Sequence, residues 1–265
     1  MMFISNTTPW FALILWVFMA LNTAAAHASV ENFVLLDHNG EAQELFYDKE
    51  ASAIVVMIHG NGCQIVRSIL PDYKALRDDY ASRGVHFLML NSNLQDTRAT
   101  IAAEAKEWNI DMPILVDTAQ IIGPSLNVTR TAEVLVIDPA TQEIIYRGAL
   151  NDRVYYERQK KTAEKHYVAE ALEALLAGEQ LAASAVPSAG CIVNFPEPTD
   201  TISYNETIAP LLIENCVACH TDGGIAPWAM SEYRMVLGFA PMIREVVRTK
   251  RMPPWHADPE LGHWQ

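Results

Sequence analysis

AIVVMIHGNGC, residues 53–63, is the stretch whose reading decides the fold. Its first seven residues form a short apolar run, the signature of a strand buried at the centre of a sheet. The run stops at Gly60-Asn61-Gly62, and Cys63 follows where the strand gives way to a helix read over residues 69–80. Reading outward, VHFLML at 85–90 is a second buried strand and residues 99–108 a second helix. PILVD at 113–117, EVLVID at 133–138 and EIIYRG at 143–148 supply three further strands. The last two are separated by Pro139-Ala140-Thr141-Gln142, a tetrapeptide that suits a hairpin. An amphipathic helix over 162–177, closed by Gly178, ends the unit. Strands alternating with helices predict an α/β layered fold for residues 29–180.

The whole chain has 265 residues, enough for one ordinary domain and a smaller one. Half of its residues are hydrophobic and 9% aromatic, which is globular composition and excludes a disordered or collagen-like chain. A formal charge of −13 argues against nucleic-acid binding, which needs a basic face to displace counterions from phosphates. RTKR at 248–251 is the nearest basic cluster, too short to outweigh that charge. Residues 1–28 contain no Asp, Glu, Lys or Arg, and residues 10–21 are an unbroken apolar run followed by Ala26-His27-Ala28. That pattern reads as a secretory signal peptide cleaved before Ser29, with a retained membrane anchor as the alternative. Either reading places the rest of the chain outside the cytoplasm, where disulfides persist; for a Gram-negative-type cell that is the periplasm.

Between 181 and 203 the sequence turns to Ala, Ser, Pro and Gly and its periodicity fades, so this is read as a linker, with Cys191 inside it. A second, helical segment is read over 204–265. It carries CVACH at 216–220. Two thiols three residues apart on one helical turn match the two vinyl groups of a haem, and the following histidine ligates the iron. The reading is one covalent c-type haem held by Cys216, Cys219 and His220. A zinc site completed by His256 or His263, or a plain CxxC disulfide, are the alternatives. For the sixth iron ligand, RMPPWHADP at 251–259 offers Met252, whose thioether suits electron transfer, then His256. Met230, Met235 and Met242 share the remaining possibility, although core packing accounts for them.

Two resemblances follow from these motifs. CVACHTDGGIAPWAM with VVRTKRMPPWHADP resembles the c-type cytochrome segment of bacterial proteins that join it to a redoxin domain. In that family the segment continues past the MPPW loop into another helix, so an end at Gln265 implies either a fragment, its haem segment truncated, or a haem segment that closes in another way. The stretch from GNGCQIVRSILPDY through LNSNLQD, TRTAEVLVID and YRGALND to GCIV at 190–193 resembles the redoxin family, thioredoxin-like and peroxiredoxin-related. That resemblance implies a thioredoxin-like fold, a reactive Cys63 at a helix N-terminus that lowers its pKa, and Pro71 as the kink proline of that helix. Three features of those relatives are absent: Val66 stands where a CxxC would have its second cysteine, Gly60 where peroxiredoxins carry a threonine, and Thr131-Ala132 where thioredoxins carry a cis-proline. Arg130 lies near, but out of register with, the arginine that stabilises the peroxiredoxin thiolate.

With Cys216 and Cys219 assigned to haem, Cys63 and Cys191 remain. They are read as a redox pair in which Cys63 attacks a protein disulfide or a peroxide and Cys191 resolves it. A static disulfide and two unpaired thiols are the alternatives. Three functions stay open: a thiol redox enzyme coupled to a periplasmic electron donor or acceptor through haem, a haem carrier or sensor whose redoxin domain only docks, and an assembly factor for a periplasmic metalloenzyme. His38, His59, His86 and His166 carry no motif and are read as surface or satisfied core residues.

Overall fold

The computed structural model describes residues 29–156, 158–179, 181, 185–195 and 202–254. Residues 1–28, read above as a signal peptide, and Trp255, His256 and His263 lie outside the described residues.

A short hairpin, β1 (Val34–Leu36) and β2 (Ala42–Glu44), precedes β3 (Ala53–His59), every residue of which is buried. Helix α1 (Gln64–Tyr80) leads to β4 (Val85–Asn91), α2 (Arg98–Glu107), β5 (Ile114–Val116) and the single turn α3 (Ile122–Ser125). Strands β6 (Val134–Asp138) and β7 (Glu143–Gly148) form the hairpin expected at 133–148. A two-residue pair, β8 (Val154–Tyr155) and β9 (Arg158–Gln159), precedes α4 (Tyr167–Ala177) and the edge strand β10 (Ala185–Val186). The main sheet runs β10-β7-β6-β3-β4-β5. β3 is parallel to β4 and antiparallel to β6, which puts the reading of 53–59 as a central strand on solid ground.

Alternation along β3 divides the core between the two faces of the sheet. Val55 and Met57 pack with Val66, Tyr73, Val168 and Leu172 beneath α1 and α4. Ile54, Val56 and Ile58 face Phe33, Phe46, Ile122 and Leu126 on the other side. The Tyr73 hydroxyl, buried under α1, donates to the Leu88 carbonyl at 2.8 Å, so burial costs it no hydrogen bond.

Three elements differ from their sequence reading. Helix α1 starts at Gln64 instead of 69, directly after Cys63. Ile65 and Val66 are β-branched and weaken the helical signal, but Val66 is buried in the core, and packing overrides propensity. Pro71 lies inside this helix, as the resemblance implies. Helix α4 starts at Tyr167, not 162, because the Asp152 carboxylate accepts the amides of Glu164 (2.8 Å) and Lys165 (3.0 Å) and holds that stretch in a turn. The stretch read as a linker is docked where it is described: β10 extends the sheet beside β7, and Ala189 and Val193 are buried. Its composition reflects close approach. A Cβ on Gly190 would lie 1.8 Å from the Thr131 carbonyl oxygen, and one on Gly148, at φ +140°, 1.8 Å from that of Val186.

Beyond the sheet, a π-helical turn (Tyr204–Ile208), α5 (Ala209–Asn215) and α6 (Tyr233–Arg248) make residues 202–254 helical apart from loops. Arg244 and Arg248 of α6 both reach the Glu31 carboxylate of the α/β unit. Among the described residues no helix is long and apolar enough to cross a membrane.

Candidate functional site

Cys63 is the N-cap of α1, in extended backbone at φ −71° and ψ 110°. Beside it, the antiparallel register of β6 on β3 brings the residues just before β6 over the end of β3: the Ala132 amide donates to the Ile58 carbonyl at 2.7 Å. Thr131 is thereby set against the thiol, with Oγ1 3.0 Å from Cys63 Sγ. The docked stretch 188–195 runs antiparallel to 129–131. Thr131 N–H donates to the Cys191 carbonyl at 2.9 Å, Val193 N–H to that of Thr129 at 3.0 Å, and Cys191 N–H to Thr131 Oγ1 at 2.9 Å. Cys191 Sγ comes to rest 3.4 Å from Cys63 Sγ, both thiols being free.

The Thr131 hydroxyl has one proton. Its oxygen already accepts the Cys191 amide, and a thiolate has only lone pairs to offer, so the proton goes to Cys63 when that sulfur ionises. Burial by itself raises the Cys63 thiol. The bonds from Thr131, from the Val66 amide in the first turn of α1 and from Cys191 outweigh it, so its pKa falls below the ordinary cysteine value. Cys191 moves the other way, raised by its own partial burial and then by the neighbouring Cys63 sulfur.

Gly60 also finds its explanation here. A Cβ at that position would meet Thr131 Cγ2 at 2.6 Å and Asn93 Nδ2 at 2.5 Å, so no threonine fits. The hydroxyl comes instead from Thr131, in the turn before β6. Arg130 does not reach the thiol. Its Nη1 donates to the Tyr156 hydroxyl (2.8 Å) and the Gly190 carbonyl (3.2 Å), and Tyr156 Oη in turn donates to that carbonyl and accepts the Gly190 amide.

Behind the loop lies a buried polar cluster that sequence reading missed. Asp96 Oδ2 accepts the Asn61 amide at 3.0 Å and the side-chain amides of Asn91 and Asn93 at 2.9 and 3.0 Å. Glu104 of α2 accepts the Gly62 amide at 2.7 Å and approaches His59 Nε2 at 3.3 Å. His59 is fully buried, and the Asn91 side-chain amide 3.1 Å from its Nδ1 assigns that nitrogen as an acceptor. Two carboxylates from α2 and the loop before it thus hold the turn that presents Cys63. Thr131 was visible only as the residue before a missing proline, and no local signal links His59 to Glu104.

In the helical segment, α5 ends at Cys216, and the amides of Cys219 (3.2 Å) and His220 (3.0 Å) both donate to the Cys216 carbonyl. The spacing of CVACH therefore does put both cysteines and the histidine on one turn. His220 is buried, with Nδ1 3.0 Å from the Trp228 carbonyl oxygen, and Trp228 stacks on Phe239 at 4.3 Å. Burial raises the Cys216 thiol. Met252 lies just past α6, its amide donating to the Val246 carbonyl at 3.1 Å. No group of three or more His, Cys, Asp or Glu suited to a metal ion occurs among the described residues.

Residues 26–151 match the AhpC/TSA family. The matched stretch takes in Cys63 and Thr131 and ends before Cys191, so the α/β unit is completed by residues outside the match. The domain has a thioredoxin-like α/β fold. An uncharacterized conserved protein from Geobacillus kaustophilus superposes with a TM-score of 0.58 at 26% identity, over 66% of this chain and 93% of its own. A hypothetical protein from Sinorhizobium meliloti 1021 does so with a TM-score of 0.56 at 24% identity, over 64% and 94%. No curated protein matches the chain.

Proposed function

We propose that this chain is an exported redox protein. In this reading its redoxin domain cycles Cys63 and Cys191 between dithiol and disulfide, and its helical segment holds one covalent c-type haem that exchanges electrons with a periplasmic partner protein. The observation that carries the thiol half is the 3.4 Å separation of the two sulfurs, with the Thr131 hydroxyl 3.0 Å from Cys63. Closing the disulfide from there takes a shift of about 1.4 Å, the difference from a bond of about 2.0 Å. A protein disulfide is favoured over a peroxide as substrate, because Arg130 is engaged by Tyr156 and Gly190 and does not stand at Cys63 to polarise a peroxide.

For haem, the donor set fits. The Trp228 carbonyl accepts a proton from Nδ1 of His220, which leaves Nε2 unprotonated and suited to iron, and Cys216 and Cys219 stand on the same turn for thioether bonds. The segment also lacks a core of its own: among its described residues Val236 is the one buried apolar side chain, while Leu211, Ile213, Leu237, Met242 and Val247 are exposed. A flat apolar group is what such a segment needs to bury. Bound there, it would supply reversible one-electron exchange, with His220 and Met252 as the residues proposed to hold its iron.

The test is an intact-mass measurement on full-length protein produced with a haem-attachment system, before and after mild oxidation. The expected masses show loss of residues 1–28, gain of one haem, and a Cys63–Cys191 disulfide. A chain that gains no haem and forms no such disulfide overturns the proposal.

A further inference from the structure

Cys63 and Cys191 are not equally reachable. Cys63 is 3% exposed, while Cys191 is exposed. What covers Cys63 includes the stretch that carries Cys191, held by two backbone bonds to residues 129–131, by the Cys191 amide on the Thr131 hydroxyl and by Tyr156 on Gly190. A partner's sulfur arriving from solvent therefore meets Cys191 first. Around it stand Ile192, 63% exposed, and the half-exposed pair Tyr155 and Tyr156, whose rings lie 5.3 Å apart. These offer apolar contact to an extended peptide.

Building on the thiol reading above, we infer that Cys191 is the entry thiol: the mixed disulfide with a protein partner forms on Cys191, and Cys63 is the buried sulfur that leaves and returns. In the oxidised protein a partner thiolate attacks Cys191 Sγ. The Cys63–Cys191 bond breaks, its electron pair goes to Cys63, and Cys63 departs as a thiolate hydrogen-bonded by Thr131. A second thiol of the partner, having given its proton to solvent, attacks the sulfur joined to Cys191. Cys191 leaves and takes up a proton. The partner's dithiol has lost two electrons and closed a disulfide, and Cys63 and Cys191 have gained them. The reverse sequence reduces a partner disulfide, with Cys191 attacking and Cys63 then displacing the partner.

The chemistry favours this division of labour over one in which Cys63 meets the partner. In thiol–disulfide exchange the sulfur with the lower pKa leaves faster, and that sulfur is Cys63. Thr131, the first turn of α1 and the thiol of Cys191 all stabilise charge on Cys63; Thr131 also favours charge on Cys191, but burial and the neighbouring Cys63 sulfur outweigh it there.

The experiment uses the full chain, with peptides bearing positions 63 and 191 scored by mass after trapping free thiols. Reduced Cys63→Ser and Cys191→Ser proteins are each exposed to glutathione disulfide. The expected result is a glutathione adduct on Cys191 in the first, formed at least about tenfold faster than on Cys63 in the second, since a buried thiol reacts only through local opening. Comparable or faster modification of Cys63 overturns the inference. A second measurement does not depend on either variant folding: oxidised native protein is treated with reduced glutathione and quenched early. Glutathione on Cys191 supports the inference, and glutathione on Cys63 overturns it alone. Absence of the Cys63–Cys191 disulfide from oxidised native protein overturns the thiol reading and this inference together.

Discussion

Oγ1 of Thr131 lies 3.0 Å from Cys63 Sγ and accepts the amide of Cys191 at 2.9 Å. One hydroxyl thus ties the acidity of the buried thiol to the seating of the stretch that carries the exposed one. Several measurable consequences depend on that bond and on its surroundings.

Thr131→Val keeps the shape and removes the hydroxyl. A hydrogen bond to a charged group is worth about 1.5–3 kcal/mol, so the Cys63 pKa should rise by roughly one to two units. The sign is upward because the thiolate loses its donor while the neutral thiol loses little. Alkylation of Cys63 followed against pH, in a Cys191→Ser background, reads the shift. An unchanged profile would mean that the hydroxyl does not serve the thiolate.

Gly190→Ala places a methyl group against the Thr131 carbonyl oxygen at 1.8 Å. The stretch 188–193 must then lift from residues 129–131, taking Cys191 away from Cys63. Oxidation should close the Cys63–Cys191 disulfide at least about tenfold more slowly, and stability should fall by more than about 1 kcal/mol. Timed trapping of free thiols and urea unfolding check the two effects separately.

Glu133 is a partly buried carboxyl whose pKa is raised by desolvation, with Arg147 opposing the shift only in part. Because the folded value lies above the unfolded one, the native protein is favoured while the group is protonated. Stability contributed by that proton is lost as pH climbs from the ordinary value of 4.5 through the folded one. Glu133→Gln should therefore raise the melting temperature at pH 7, and the gain should vanish below pH 4.5. A melting temperature lowered at pH 7 would refute this account.

Haem attachment should order the helical segment. With Val236 its one buried apolar side chain among described residues, amides of α5 and α6 should exchange rapidly in haem-free protein. They should slow at least about tenfold once haem is attached, while β3 and β6 change little, because a group that binds only the folded form stabilises it. Equal exchange in both forms would contradict the claim that this segment lacks a core.

Much of this was legible along the chain, and for local reasons. The apolar run at 53–59 is buried on both faces, so it carries no polar alternation to confuse its reading. CVACH is likewise a local pattern whose three side chains need only one turn to meet. The helix starts at Gln64 and Tyr167 were less legible. Core packing of Val66 extends one helix and the distant Asp152 carboxylate delays the other. The docking of 185–195 was hidden for a related reason: Gly190 and its small neighbours, loop-like in composition, are what close backbone approach demands.

What the amino-acid order determines by itself is where the chemistry-bearing side chains sit: a thiol at the end of a central strand, and a cysteine pair with a histidine spaced to share one turn. Tertiary structure alone decided which groups serve that thiol. Cys191 is 128 residues from Cys63 and Thr131 is 68, and they converge only because β6 pairs antiparallel with β3 and the stretch after β10 lies against residues 129–131. Strand register and burial are properties of the folded sheet, so no neighbour in sequence could announce that the more acidic cysteine would be the covered one.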